Sequence, residues 1–178
     1  MAQILDNITK IKTLTQEEQA FFLPKTETKH YKAKTIILNA GEVCKYSYFV
    51  NSGLLRSFNI NDNIVEHVLS FACEGWWIGD MYSLLSQKPG NLFIEVLEDA
   101  EVVLLSKKNQ EQLYLEIPKL ERFFQNHNRK FFGCQSGKTD GQLEFNSRRT
   151  LRKILQKISN INSKSTSKTN RFLYWCYS

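Results

Sequence analysis

The fold class is decided by residues 46–60, which read Tyr46-Ser47-Tyr48-Phe49-Val50-Asn51-Ser52-Gly53-Leu54-Leu55-Arg56-Ser57-Phe58-Asn59-Ile60. Two runs rich in β-branched and aromatic residues, Tyr46–Val50 and Leu54–Ile60, flank three turn residues, Asn51-Ser52-Gly53. This arrangement predicts two antiparallel strands joined by a turn.

The same pattern extends on both sides of that stretch. Further runs of strand-forming residues occupy Tyr31–Leu38, Val65–Phe71 and Ile94–Leu105, and turn residues stand at 39–41, 61–63 and 88–90. Closely spaced strands separated by turns favour an antiparallel roll or barrel over a sheet built from βαβ units. We therefore predict a mainly β protein.

Two short helices are predicted around these strands. Thr15-Gln16-Glu17-Glu18 has the composition of a capping box, so a helix is expected to start there and to be closed by Pro24. Gly79–Leu85 is expected to form one or two helical turns, with Asp80 in the first turn. The amides at the start of such a helix can hold an anion, which makes this segment a candidate binding site.

A longer helical segment is predicted from Lys108 onward, with Pro118 at the first position of a new helix. Side chains spaced by three and four residues form one apolar stripe along it: Leu120, Phe123, Phe124, His127 and Phe131. Such a stripe either packs on its own domain or pairs with a second subunit, and the sequence leaves both possibilities open.

Positive charge is concentrated at the C-terminal end of the chain. The protein has 178 residues and a formal net charge of +6, but residues 1–128 carry 13 Lys and Arg against 16 Asp and Glu, whereas residues 129–178 carry 11 against 2. With 42% hydrophobic residues, the chain can bury a core. We therefore predict a mildly acidic globular domain over residues 1–133 and a poorly structured basic tail over residues 134–178.

The sequence also bears on compartment and metal content. No run approaches the roughly 18 apolar residues that a membrane helix needs, so a cytoplasmic protein without a membrane partner is expected. Cys44, Cys73, Cys134 and Cys176 have no zinc-site spacing. They are interpreted as free thiols, and no metal site is predicted.

A recognisable order of motifs runs through the chain: Lys34–Leu38 with Gly41-Glu42, Tyr48–Arg56, Glu74-Gly75-Trp76-Trp77-Ile78-Gly79-Asp80, Glu98–Val103 and Pro118-Lys119-Leu120-Glu121. This order, over roughly residues 10–132, resembles the sensor half of the Crp/Fnr family of transcription regulators. The resemblance implies an antiparallel β-roll of the cyclic-nucleotide-binding-domain type, followed by a long dimerisation helix. It also implies a homodimer that binds DNA and responds to a small-molecule effector.

The resemblance places a candidate ligand pocket at Gly79, Asp80, Met81, Tyr82, Gly90 and Asn91. Gly79-Asp80 stands where nucleotide-binding members have Gly-Glu, and Gly90-Asn91 stands where they have Arg-Ser. No arginine lies between Arg56 and Arg122, so the cation that would neutralise a cyclic phosphate is missing. We therefore expect weak or no binding of cyclic AMP, and either a vestigial pocket or an unknown small-molecule effector.

The family continues with a winged helix-turn-helix, and residues 134–178 lack that pattern. Asn160–Asn170 consists almost entirely of Ser, Asn, Lys and Thr. Read one base forward, the codons of Trp175-Cys176 must give a glycine, and the tail can then encode the helix-turn-helix signature expected in the family. The hypothesis is that the reading frame has slipped near residues 133–138. In that case the chain, which stops at Ser178, lacks the recognition helix and does not read DNA specifically.

The leading interpretation is the effector-sensing and dimerisation part of a Crp/Fnr-like transcription regulator, without specific DNA binding. An alternative is a stand-alone ligand or interaction module of the same fold with no DNA role. A third possibility is a small β-barrel metalloenzyme that uses Glu66, His67 and His30. Glu66 and His67 fall on opposite faces of a strand because side chains alternate along it, so no enzyme is predicted.

Overall fold

The architecture is given by a computed structural model, which describes residues 2–9, 13–124 and 156. The chain divides into two units, Met1–Ser136 and Gly137–Ser178, and every described residue except one belongs to the first. The stripe residues His127 and Phe131 lie outside the described residues, as does the predicted basic tail apart from residue 156.

Helices flank the strands at both ends of the first unit. In chain order, the elements are helix α1 (Ala2–Thr9), helix α2 (Gln16–Phe22), a 3-10 turn (Leu23–Lys25), strands β1 (Thr26–Tyr31), β2 (Ile36–Leu38), β3 (Tyr46–Ile60), β4 (Glu66–Cys73) and β5 (Trp77–Ile78), helix α3 (Met81–Ser86), strand β6 (Phe93–Ser106) and helix α4 (Lys107–Glu116). Residues 118–124 are helical as well, beginning at Pro118 as predicted. Within this part of the chain, no helix is long and apolar enough to cross a membrane.

The six strands form one antiparallel sheet in the order β1-β6-β3-β4, with β2 pairing with β6 and β5 pairing with β3. The two long strands, β3 and β6, form its centre, and they pair from Tyr46 opposite Ser106 to Phe58 opposite Phe93. The prediction of an antiparallel β-roll with flanking helices is confirmed.

The turn predicted at Asn51-Ser52-Gly53 is wrong, because β3 continues through these residues with shifts of register against β6. Asn51 is buried, and its side-chain amide donates to Glu101 Oε1 at 2.6 Å. Gly53 has φ +96°, and a Cβ at this position would lie 2.7 Å from Ala100 Cβ. The turn residues therefore form an irregularity within a strand, where a glycine is needed both for its backbone angle and for space.

The single strand predicted over Tyr31–Leu38 is also wrong. Strand β1 ends at Tyr31, and β2 begins only at Ile36. Between them Lys34 adopts φ 70°, a left-handed conformation that redirects the chain. Because of this bend, β1 and β2 both pair with the long strand β6.

The predicted capping box is confirmed at the start of α2. Thr15 Oγ1 accepts from the backbone N–H of Glu18 at 3.2 Å, and Glu18 Oε2 accepts from the backbone N–H of Thr15 at 2.6 Å. These two bonds satisfy amides that the first helical turn leaves without partners. The α-helix ends at Phe22, before Pro24, which lies in the 3-10 turn.

Apolar side chains are buried in two clusters. The roll core lies between the strands and includes Tyr48, Val50, Leu55, Ile94 and Val96. The outer core lies where the helices cover the sheet; its members include Ile4, Ile8, Phe22, Phe49, Trp77, Leu113, Leu120, Phe123 and Phe124. The first unit is therefore a sheet with side chains packed on both faces.

Helix α1 belongs to the outer core, although the sequence analysis assigned no element to these residues. Ile4 and Ile8 are fully buried one helical turn apart, a spacing that the sequence displays. Gln3 Nε2 donates to Glu74 Oε1 at 2.9 Å, and Asn7 Nδ2 donates to the carbonyl oxygen of Gly75 at 2.9 Å. Helix α1 is thus attached to the turn between β4 and β5.

Candidate functional site

The candidate site is the segment 79–92, called the cassette below, which contains Gly79-Asp80, α3 and the return loop to β6. Asp80 is the N-cap of α3: its Oδ1 accepts from the backbone N–H of Ser83 at 2.9 Å. The predicted helix is present, but Asp80 precedes the first turn instead of lying within it. The Asp80 residue is only 4% exposed, so its carboxylate faces the protein interior.

Gly90, in the return loop, packs directly against Asp80. A Cβ added to Gly90 would overlap Asp80 Oδ2 and would lie 3.1 Å from Ser83 Cβ. The φ of Gly90 is outside the left-handed region, so glycine is needed here for space and not for its backbone angle. The Asp80 carboxylate and the return loop are therefore in direct contact.

The Ser83 hydroxyl connects three segments at the centre of the cassette. Ser83 Oγ accepts from the backbone N–H of Cys44 at 2.9 Å and donates to the carbonyl oxygen of Lys88 at 2.6 Å. Ser83 and the bond to Cys44 are buried, so this bond is shielded from water. The role of Ser83 was not predicted from the sequence, because a serine in a short helix produces no distinctive pattern.

Two backbone hydrogen bonds join the return loop to the turn that follows β2. The N–H of Gly41 donates to the carbonyl oxygen of Gly90 at 2.8 Å, and the N–H of Gly90 donates to the carbonyl oxygen of Glu42 at 3.1 Å. The same turn leads to Cys44, whose amide bonds to Ser83. The cassette is therefore closed by bonds made entirely within the chain.

Cys44 is a structural thiol beside the cassette. It is fully buried, and its Sγ donates to the carbonyl oxygen of Tyr46 at 3.2 Å. Burial raises the pKa of the Cys44 thiol, so the thiol stays protonated near neutral pH. Cys44 is free of disulfide bonds, in agreement with the sequence analysis.

The other predicted pocket residues have different surroundings. Met81 is buried and belongs to the roll core, whereas Tyr82 and Asn91 are exposed. Gly79 is buried, and a Cβ added there would lie 3.6 Å from the carbonyl oxygen of Tyr46 and 3.9 Å from the Cα of Ser47. The structure thus brings Asp80 and Gly90 into contact and turns Tyr82 and Asn91 towards solvent.

Trp77 links the cassette to the helix at the end of the described chain. It lies on β5, immediately before the cassette, and its ring meets Phe124 edge to face with ring centroids 5.1 Å apart. Leu120 and Phe123 are buried in the same outer core. The described part of the apolar stripe therefore packs on its own domain, which is one of the two possibilities that the sequence left open.

The residues of the metalloenzyme alternative do not converge. Glu66 Oε2 is 3.0 Å from Arg56 Nη1, and His67 Nε2 lies 3.0 Å from Asn61 Nδ2. His30 is on β1, which two strands separate from β4 in the sheet order. Among residues 2–9 and 13–124, no group of three His, Cys, Asp or Glu side chains is placed to bind a metal ion.

Comparison with known proteins identifies the roll. The family model described as cyclic nucleotide-binding domain matches residues 28–116. Among solved structures, the catabolite activator protein of Thermus thermophilus has a TM-score of 0.60 at 20% identity, covering 85% of this chain and 62% of its own. A cyclic nucleotide-binding domain from Methylobacillus flagellatus KT has a TM-score of 0.62 at 20% identity, covering 80% of this chain and 85% of its own.

A third similar structure is a protein from Eubacterium rectale named as a transcriptional regulator of the Crp/Fnr family. It has a TM-score of 0.57 at 18% identity, covering 68% of this chain and 56% of its own. The chain thus spans about three fifths of the lengths of the Thermus and Eubacterium proteins. No curated protein matches the sequence at a significant level. At these identities the structural likeness establishes the fold.

Proposed function

This chain belongs to the cyclic nucleotide-binding domain family, and we propose that it is the effector-sensing and dimerisation part of a Crp/Fnr-like transcription regulator. The observation that carries the proposal is the contact between Trp77 and Phe124. A change at the cassette moves the strand before it, and that strand touches the helix that leaves the roll. An effector that favours one position of this helix shifts the population of the whole protein towards it.

Dimerisation is assigned to the continuation of the apolar stripe. Leu120, Phe123 and Phe124 are already buried within one chain, in the outer core. His127 and Phe131 continue the same spacing in the sequence, so the contact with a second copy is assigned to them.

Sedimentation of the full chain tests this assignment. We expect the unmodified protein and Leu115→Asp to form dimers, because Leu115 is an exposed residue of α4, and we expect Phe131→Asp to be monomeric. A monomeric unmodified protein at about 100 μM contradicts the dimer, since that concentration lies well above the Kd of a specific interface.

The DNA role is tested at the tail. We expect residues 134–178 to contact DNA without sequence preference and with strong salt dependence, because their contribution is positive charge. A gel shift that keeps a sequence preference in high salt would contradict this. The nucleotide sequence from codon 125 onward decides whether the reading frame has slipped.

The alternative is a stand-alone ligand or interaction module of the same fold with no DNA role. The burial of Leu120, Phe123 and Phe124 within the chain favours it, because the described helix offers little apolar surface to a partner. Footprinting on promoter DNA with a frame-restored protein separates the two. Protection of a defined site supports the regulator, and absence of protection supports the module.

A further inference from the structure

We propose that the Asp80 carboxylate is an internal anion that closes the cassette without a ligand, and that this chain does not use a cyclic nucleotide as its effector. The inference rests on the proposed function in one respect, because it takes the cassette as the effector site. It concerns how that site is filled, and it does not depend on dimerisation or on DNA.

A cyclic nucleotide presents a negatively charged phosphate, so its cradle needs a cation and backbone N–H groups that are free to donate. The residues of this cassette do not fit that requirement. The N–H of Ser83 already donates to Asp80 Oδ1 at 2.9 Å. A buried carboxylate beside the return loop repels a second anion at short range.

The Asp80 carboxylate lies at the position where the resemblance predicts a cation. By resemblance, Gly90 stands where nucleotide-binding relatives have arginine, and even a Cβ there would overlap Asp80 Oδ2. The two departures from the family pattern therefore depend on each other. Absence of the arginine side chain leaves space for the carboxylate, and the inward carboxylate lies where a Cβ at position 90 would be.

Backbone groups of Lys88 and Gly90 in the return loop are bonded within the chain. Ser83 Oγ donates to the carbonyl oxygen of Lys88 at 2.6 Å, and Gly90 exchanges backbone hydrogen bonds with Gly41 and Glu42. Opening the loop for a ligand would break these bonds, which costs free energy that the ligand has to supply. The closed conformation of the cassette is therefore stabilised without a bound ligand.

The first test is calorimetric titration of the full chain with cyclic AMP and with cyclic GMP, up to about 1 mM of each. We expect no saturable heat from either nucleotide. Saturable one-to-one binding of either one would overturn the inference. That result would leave the regulator proposal standing, whereas a monomeric protein would contradict the regulator and leave this inference untouched.

The second test measures the coupling between the two residues without any ligand. Gly90→Ala is expected to lower the thermal midpoint by about 5 °C or more in the unmodified protein, because the new methyl group meets the carboxylate. In the Asp80→Ala background, Gly90→Ala should lower the thermal midpoint by less than half as much. Equal shifts in both backgrounds would overturn the inference.

Gly75→Ala is the matched control, since a Cβ at Gly75 has no atom within 4 Å. Its effect should be the same with and without Asp80→Ala. If the Asp80 variants do not fold, hydrogen exchange on the unmodified protein gives the answer. The Ser83 amide should be strongly protected without ligand, and exchange as fast as in an open loop would refute the closed cassette.

Discussion

Arg56 on β3 binds Glu95 on β6 through two nitrogens, with Nε 2.7 Å and Nη2 2.6 Å from Glu95 Oε2. The two side chains are only 13% and 15% exposed, so the pair is largely removed from water. The guanidinium carbon also lies 4.4 Å from the centroid of the Phe58 ring. This ion pair fastens the two central strands beside the start of β6, just after the return loop of the cassette.

Replacing Arg56 by methionine should destabilise the protein by about 3 kcal/mol, because the Glu95 carboxyl group would lose its partner in a mostly buried position. Urea unfolding measures the loss. Lys32→Ala is the control, because the Lys32–Asp99 pair is exposed on both sides and its loss should change stability far less. Similar losses in both variants would show that burial does not strengthen the Arg56 pair.

Replacing Phe124 by alanine should cost about 3 to 5 kcal/mol, since the ring is 3% exposed and packs against Trp77 and Phe123. Leu115→Ala, at a residue that is 81% exposed, should change stability by no more than about 0.5 kcal/mol. The comparison is made by urea unfolding with tryptophan fluorescence as one probe. A small loss for Phe124→Ala would contradict its place in the outer core.

Gly53→Ala should destabilise the protein more than Gly75→Ala. Both glycines have φ in the left-handed region, at +96° and +84°, so alanine is strained at either position by about 1 to 2 kcal/mol. Only at Gly53 would the added Cβ also lie 2.7 Å from Ala100 Cβ, which adds about 1 to 3 kcal/mol of overpacking. Thermal unfolding of the two variants separates the contributions, and equal losses would argue against the close approach of β3 and β6.

Glu18 should make stability depend on acid pH. The Lys119 ammonium and the Thr15 amide hold the pKa of Glu18 below its usual value of 4.5. A pKa lowered by folding gives stability that is complete above the unfolded pKa and is lost as pH falls through the folded one. Glu18→Gln should therefore flatten the decline of the urea midpoint below about pH 4.5.

The control for Glu18 is Glu17→Gln, one residue earlier on the same helix. This variant should retain the decline of the unmodified protein. If the urea midpoint of Glu18→Gln falls with pH as steeply as that of the unmodified protein, the pairing of Glu18 with Lys119 contributes nothing to folding stability.

Local signals in the sequence predicted the elements whose cause is local. The capping box at Thr15 and the first helical position of Pro118 are examples. The residues Asn51-Ser52-Gly53 show where such signals fail, since the same residue types serve turns and strand irregularities. Which of the two forms depends on Ala100 and Glu101, about 50 residues later, and no local pattern contains that information.

The candidate site likewise has some features that the sequence predicted and others that it did not. The sequence placed a short helix after Gly79 and identified Asp80 and Gly90 as the positions that depart from the family pattern. It did not predict that the two would touch, because the direction of the Asp80 carboxylate is set by the loop that closes over it. Ser83 was missed for a related reason: its partners, Cys44 and Lys88, come together only in the folded chain.

The outer core also has a consequence for folding during synthesis, because its members are far apart in the chain. Ile4 and Ile8 are made before Leu120 and Phe124, which pack in the same cluster and lie more than 100 positions later in the chain. The outer core therefore stays incomplete until residues 120–124 are made, whereas the roll core is complete once β6 has been made. A product shortened before Pro118 should expose the apolar side chains of the outer core and aggregate more readily than the full chain.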